Sequence, residues 1–125
     1  MRPRATHLTI AVAAAASIAI APAVVASADT QHRAPAAATV AARGREFSFR
    51  LSRISAAKPG KVTFTFRNVG TVKHDFKIGG KQTPLIGPGK TAALAVTFHK
   101  KGRFTFICTV PGHAAAGMRG VFTVR

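Results

Sequence analysis

The sequence has a single cysteine, Cys108, and it contains neither tryptophan nor tyrosine. One cysteine excludes an intramolecular disulfide, so a small chain of this kind needs another source of stability. A thiolate can ligate a metal ion, and ligation then adds binding free energy to the free energy of folding. We therefore expect Cys108 to be a metal ligand.

Acidic residues are almost as scarce. Asp29, Glu46 and Asp75 stand against 19 lysines and arginines, and the formal net charge is +16. Such a surface attracts acidic proteins or an anionic membrane surface. The basic residues are scattered singly without a helix-turn-helix or zinc-finger pattern, so we expect no nucleic-acid partner. The chain is expected to be a monomer.

Long, strongly apolar runs are missing too. The stretch from Leu8 to Ile20 is rich in alanine and shorter than the roughly 20 strongly apolar residues of a membrane-spanning helix. It follows two arginines and precedes the small residues 26–28, which is typical of an export signal. We predict a signal peptide over residues 1–28 and a periplasmic, cell-surface or extracellular protein, with an uncleaved anchor as the alternative. No transmembrane segment is expected after cleavage.

The rest of the chain has room for one small domain with one core. Residues 29–38 contain Pro35 and show no apolar period, so they are predicted to be a flexible lead-in. From Thr39 onward the apolar period becomes two, which is typical of β-strands. Residues 39–125 are therefore predicted to form the domain.

Short alternating runs separated by glycine and proline continue to the end of the chain. This pattern predicts an all-β fold, a small antiparallel sandwich or barrel. Residues 79–90 are predicted to be a loop, and residues 121–124 a closing strand. The side chains expected to face inward are Phe47, Phe49 and Leu51; Val62, Phe64 and Phe66; Val72, His74, Phe76 and Ile78; Leu94, Val96 and Phe98; and Phe104, Phe106 and Cys108.

Four side chains of this chain are of types that can ligate one metal ion together. His74 and Cys108 are both expected to face inward, and His113 and Met118 follow Cys108 on one glycine-containing loop. Two imidazoles, a thiolate and a weak axial thioether suit copper and its one-electron cycle between Cu(I) and Cu(II). Each residue also has an ordinary explanation, as a core histidine, an inert thiol, a loop residue or core filling. Their coincidence favours a copper site.

Two further histidines are not expected to be ligands. His32 lies in the predicted lead-in without a partner nearby in the sequence. His99 adjoins two lysines in a polar turn, which indicates a surface position.

The residues around these ligands resemble a known family. The segment 68–76, followed by the pattern Cys108-x4-His113-x4-Met118-x-Gly120, is similar to the cupredoxins, the blue or type 1 copper proteins. The spacing from cysteine to histidine is like that in rusticyanin and auracyanin and longer than that in plastocyanin. The resemblance implies a Greek-key β-sandwich that holds one copper ion and no other cofactor. Many members have asparagine or serine after the first histidine, where this chain has Asp75. The resemblance implies that Asp75 ties the two ligand loops together, and tuning of the reduction potential by its carboxylate is the alternative.

The resemblance implies an electron carrier. A type 1 site would pass one electron between redox partners, with the edge of the His113 ring reaching an apolar surface. No charged residue lies between Arg103 and Arg119, which would permit close docking of a redox partner, and lysines outside this stretch would steer an acidic redox protein towards it. Four protein ligands leave no open position for a substrate, so no enzymatic activity is expected. The alternatives are an extracytoplasmic copper-binding or homeostasis protein, and a cationic adhesion module with a purely structural site.

Overall fold

The computed structural model describes residues 9–21, 23 and 38–125. Residues 9–21 and 23 carry neither helix nor strand, and their side chains are exposed. Among the described residues, no helix is long and apolar enough to cross a membrane. The expected cleavage site after Ala28 and nearly all of the expected lead-in, residues 29–38, lie outside the described residues. Signal peptide and lead-in therefore stay predictions.

Nine β-strands and one short α-helix form the described domain. In chain order they are β1 (Ala38–Arg45), β2 (Ser48–Leu51), β3 (Ser55–Ala56), β4 (Gly60–Asn68), β5 (Lys77–Ile78), β6 (Lys81–Gln82), β7 (Thr91–Phe98), β8 (Gly102–Ile107), α1 (His113–Ala116) and β9 (Arg119–Val124). One sheet has the strand order β2-β1-β4-β7 and the other β3-β9-β8-β5-β6. The predicted all-β sandwich is confirmed.

Strand direction is mixed in both sheets. β1 runs parallel to β4, with Ala38 opposite Val62 and Gly44 opposite Asn68, and β3 runs parallel to β9. The other strand pairs are antiparallel. Because β1 and β4 are parallel, their carboxyl ends meet at one end of the sandwich.

The core lies between the sheets and is built largely from phenylalanine. In β4 the predicted alternation is confirmed, because Val62, Phe64 and Phe66 are buried. The rings of Phe64 and Phe122, from different sheets, have centroids 5.3 Å apart and meet edge to face. Aromatic pairs of this geometry add to the free energy gained by burying their area.

Phe47 departs from its predicted inward position. It lies in the turn between β1 and β2, before the strand begins at Ser48, and 45% of its surface is exposed. Phe49 and Leu51 do pack against the core as expected. The alternation fails at Phe47 because the chain reverses direction at residues 46 and 47.

The predicted strand over residues 72–78 is also wrong in part. Only Lys77–Ile78 forms a strand, and His74 makes an isolated bridge to Ile86. Val72 is 45% exposed, whereas His74, Asp75 and Phe76 are buried in succession. Asp75 therefore does not face solvent as alternation requires, because its carboxylate has polar partners inside the protein. The predicted loop at 79–90 contains β6 and is otherwise irregular.

Candidate metal centre

Three metal donors converge where the carboxyl ends of β1 and β4 meet. His74 lies on the segment after β4, where its backbone N–H and C=O pair with Ile86 at 3.1 and 2.9 Å. Cys108 directly follows β8, and His113 opens α1. His74 and Cys108 are completely buried, whereas His113 is half-buried. The inward positions predicted for His74 and Cys108 are confirmed.

The donor atoms form a small triangle. Nδ1 of His74 lies 3.1 Å from Nδ1 of His113, and Sγ of Cys108 lies 3.9 Å from the first and 3.6 Å from the second. A point equidistant from the corners of this triangle lies about 2.1 Å from each, within the range of about 2.0–2.3 Å for bonds from a metal ion such as zinc to nitrogen and sulfur. The three side chains therefore fit one ion of this size.

The tautomer of His74 leaves Nδ1, the nitrogen that faces the other two donors, without a proton. Its Nε2 lies 2.9 Å from Oε1 of Glu46, and an ionised carboxylate can only accept a hydrogen bond. In a neutral His74 the proton is therefore on Nε2, and the lone pair of Nδ1 points into the donor triangle. Fixing the tautomer through the second ring nitrogen is a common property of metal-binding histidines.

The surroundings of Cys108 disfavour the thiolate in the absence of a cation. Burial raises the pKa of Cys108 above its ordinary value, and the backbone N–H groups of Asp75 and Val110 lower it only in part. A metal ion favours the thiolate strongly enough to deprotonate such a thiol. The same two N–H groups then stabilise the negative charge on sulfur.

Met118 closes the loop that begins at Cys108. It is completely buried. Its N–H donates to the carbonyl of His113 at 3.0 Å, and its carbonyl accepts from the N–H of Cys108 at 3.0 Å. Gly112 and Gly117, on either side of α1, have φ values of 82° and 126°, where a side chain would strain the backbone. The loop therefore holds Cys108, His113 and Met118 together.

A carboxylate joins the loop of His74 to the loop of Cys108. Oδ1 of Asp75 accepts from the backbone N–H of Thr109 at 2.6 Å, and Oδ2 accepts from the Thr109 hydroxyl. Gln82 donates to the same Oδ2 at 2.9 Å. The implied role of Asp75, tying the two ligand loops together, is confirmed by these contacts.

A second carboxylate supports the site from the other side. Oε1 of Glu46 accepts from the backbone N–H groups of Thr71 and Val72 at 2.8 and 2.9 Å, in addition to His74. The Val72 N–H is the largest cause that lowers the pKa of Glu46 to about 2, and His74 contributes in the same direction. Glu46 is therefore ionised at neutral pH.

Sequence reasoning missed both Glu46 and Asn68 as parts of the site. Buried Asn68 donates to the carbonyls of Val72 and Ile86 at 2.8 and 2.9 Å and shapes the segment that carries His74. A signal for Asn68 was present, because it continues the inward-facing series of β4 as its one polar member. For Glu46 the signal was weak, since its partner is 28 residues away.

The ring of Phe47 packs against the ring of His113. Their centroids are 5.1 Å apart and their planes meet at 68°. Among the other histidines, His99 is exposed in the turn after β7, as predicted. His32 lies outside the described residues.

Comparison with known proteins agrees with the site. A family model described as copper binding proteins of the plastocyanin/azurin family matches residues 33–125. The chain is 44% identical to the copper-resistant cuproprotein CopI of Pseudomonas aeruginosa, over 43% of this chain and 28% of that protein. It is 31% identical to CopI of Vibrio cholerae, over 46% of each. The chain thus matches less than half the length of either relative.

Solved structures of other proteins share this fold. Dithionite-reduced auracyanin from Roseiflexus castenholzii superposes with a TM-score of 0.64 at 24% identity, over 71% of this chain and 98% of that one. At this identity the likeness concerns the fold alone. Because the family model matches most of the chain and the donor triangle fits a single copper ion, this chain belongs to the plastocyanin/azurin family of copper-binding proteins, the cupredoxins.

Proposed function

We propose that the protein is an exported mononuclear type 1 copper protein that carries one electron between redox partners. The ligands in this proposal are His74, Cys108, His113 and Met118. The donor triangle of two Nδ1 atoms and one Sγ is the observation that carries it, because this donor set with a thioether is that of blue copper electron-transfer sites. Copper bound there would supply a one-electron couple between Cu(I) and Cu(II).

The chain's own contribution is a site whose shape is set by hydrogen bonds. Asp75 holds the Cys108 loop, Asn68 shapes the His74 segment, and Glu46 holds the His74 ring. These bonds connect side chains to backbone and to each other without passing through the metal. A site held in this way changes little when its charge changes by one, which favours fast transfer.

The surface around His113 suits brief contact with a partner. His113 is half-buried, and its neighbours Pro111, Gly112, Ala115 and Ala116 are exposed and uncharged. Apart from His113 itself, no side chain of residues 111–116 is polar, so little has to be desolvated when another protein approaches. His113 is therefore the proposed route for the electron, and four protein ligands leave no position for a substrate, which argues against an enzyme.

An arginine cluster next to this end supports an acidic redox protein as the partner. On the outer side of the first sheet, Arg43 of β1 lies opposite Arg50 of β2 and Arg67 of β4, and Arg45 follows two residues later. All four are exposed, and among the described residues none has a carboxylate within salt-bridge distance. Like charges on neighbouring strands repel each other, so an anionic partner would relieve this cost.

The chemistry of this arginine face favours protein carboxylates over a membrane. Arg43 and Arg50 line two surface cavities of about 270 and 240 Å³, which leaves their guanidinium groups accessible for bidentate pairing. The other outward residues of β4 and β7 are threonine, alanine and Lys61. A surface that binds membranes usually adds large apolar side chains that insert; β4 and β7 offer none, and beside the arginines the larger cavity is bordered by one partly exposed valine, Val69.

Copper homeostasis is the second candidate, and the names of the two CopI relatives favour it. The two functions differ in how the loaded protein behaves. An electron carrier exchanges electrons rapidly between its Cu(I) and Cu(II) forms and keeps its metal through repeated cycles. A copper-handling protein exchanges electrons slowly and gives its copper up readily.

One experiment separates these candidates. Mixtures of the Cu(I) and Cu(II) protein are studied by NMR line broadening to obtain the electron self-exchange rate, and copper loss to a chelator is followed in parallel. Rapid exchange with copper retained supports the carrier. Slow exchange with rapid copper loss would favour homeostasis.

A further inference from the structure

We propose that the turn formed by Glu46 and Phe47 positions both histidines of the copper centre, Glu46 acting on His74 and Phe47 on His113. The inference rests on the proposed function, because it concerns the same copper site. Neither residue touches the metal position, so both are positioning residues.

Glu46 is itself held in place by backbone groups. The oxygen that accepts from Nε2 of His74 also accepts from the N–H groups of Thr71 and Val72. The carboxylate lies against Gly70, where an added Cβ would be only 2.5 Å from Oε1. Two backbone donors and the close approach to Gly70 hold the carboxylate in place, and there its Oε1 also reaches Nε2 of the His74 ring.

Phe47 is anchored on the opposite side of the turn. Its ring meets the His113 ring edge to face at 5.1 Å. Its carbonyl oxygen lies 2.7 Å from where a Cβ on Gly117 would be, so the turn packs directly against the end of α1. The Phe47 ring packs on the His113 ring, and His113 itself stays half-buried, so part of its surface remains accessible beside Phe47.

Strand pairing fixes the position of the turn without any contribution from a metal ion. Gly44 of β1 lies opposite Asn68 of β4, and the Val69 N–H donates to the Gly44 carbonyl at 2.9 Å. These bonds fix the hairpin relative to the segment that carries His74. The turn therefore gives His74 a negative charge and gives His113 an apolar neighbour before any ion binds.

The two contacts have different consequences. A carboxylate on the far nitrogen increases the basicity of a ligating imidazole and fixes its tautomer. This favours Cu(II), so the Glu46 charge lowers the reduction potential. An apolar ring beside His113 restricts that imidazole without adding charge. Loss of Phe47 is expected to loosen His113 more than it changes the average potential.

The test compares E46Q, E46A and F47A with I54A, a truncation of another exposed apolar residue, 67% exposed, outside the site. Each copper protein is measured for Cu(II) affinity, reduction potential and the hyperfine coupling in electron paramagnetic resonance. E46A should weaken Cu(II) binding by about 10–100-fold and raise the potential. E46Q keeps an acceptor oxygen and should retain affinity within a few-fold, yet its potential should still rise. F47A should alter the hyperfine coupling and slow self-exchange several-fold, and I54A should match the parent.

Variants that equal I54A in affinity, potential and hyperfine coupling would overturn the proposal while leaving a blue parent protein and the proposed function intact. If the parent lacks type 1 spectra, the proposed function fails instead. Nitrogen-15 NMR of the apoprotein still decides the positioning role in that case. Wild-type His74 should carry its proton on Nε2, and E46A should show a mixture of tautomers; an unchanged tautomer in E46A would contradict the inference.

Discussion

The carboxylate of Asp75 accepts the backbone N–H of Thr109 at 2.6 Å, which joins the residue after one histidine donor to the residue after the cysteine donor. Two of the three donors, His74 and Cys108, therefore sit next to the same hydrogen bond. The link is independent of the metal, and it spans two segments 34 residues apart in the chain.

Removing this link should weaken the fold and the site together. Asp75→Ala deletes the acceptor of three hydrogen bonds and leaves buried donors without a partner, which costs about 1–3 kcal/mol for each such group. We expect the free energy of unfolding of the apoprotein to fall by about 2–3 kcal/mol, measured by urea denaturation. Gln82→Ala is the matched control, since it removes only one donor to the same carboxylate. An equal loss in both variants would contradict the central role of the Asp75–Thr109 bond.

The axial position can be tested by one substitution. Met118→Gln places a harder oxygen donor where the thioether lies, and such a donor favours Cu(II) over Cu(I). The reduction potential should fall by at least about 59 mV, which corresponds to a tenfold change in the relative stability of the two oxidation states. Cyclic voltammetry of the copper protein measures it. An unchanged potential would mean that Met118 is not a ligand.

The sequence brought His74, Cys108 and His113 together because these donors lie on alternating segments or on one loop. The period of two correctly placed Phe64, Phe66 and Cys108 inside. It failed at Phe47 and Asp75, where the chain leaves regular strand geometry and local hydrogen bonds decide which way a side chain points. Glu46 was missed because its contact with His74 depends on the parallel pairing of β1 with β4, which alternation does not reveal.

Acid should selectively remove the contribution of Glu46 to stability. Its pKa in the folded protein is lowered from 4.5 to about 2, so the ionised form stabilises the fold at pH values above about 4.5. That stability is lost as the pH falls through this window toward 2. We expect the difference in unfolding free energy between the wild-type apoprotein and E46Q to shrink steadily over the same range. A difference that stays constant from pH 7 to pH 2 would contradict the assignment.

Removing charges from the arginine cluster should slow electron transfer to an anionic acceptor more than removing the same number of charges elsewhere. The variant R43Q/R50Q/R67Q removes three charges near the copper end, and K61Q/K100Q/K101Q removes three at the opposite end of the same sheet. Oxidation of the Cu(I) protein by hexacyanoferrate(III) should slow more in the arginine variant at low salt. At about 0.5 M salt the difference should vanish, because screening then acts within a few ångströms. Equal slowing in both variants would show that the oxidation rate depends on net charge alone and would contradict a role for the position of the arginines.

The spectrum of the copper-loaded protein, with metal stoichiometry and electron paramagnetic resonance, tests the central claim most directly. One copper ion bound by the Cys108 thiolate should give intense thiolate-to-copper charge-transfer absorption in the visible and a narrow hyperfine splitting. Cys108→Ser should lose the absorption while the apoprotein remains folded. A colourless Cu(II) protein, or a Cys108→Ser variant that keeps the colour, would contradict the assignment of a type 1 site.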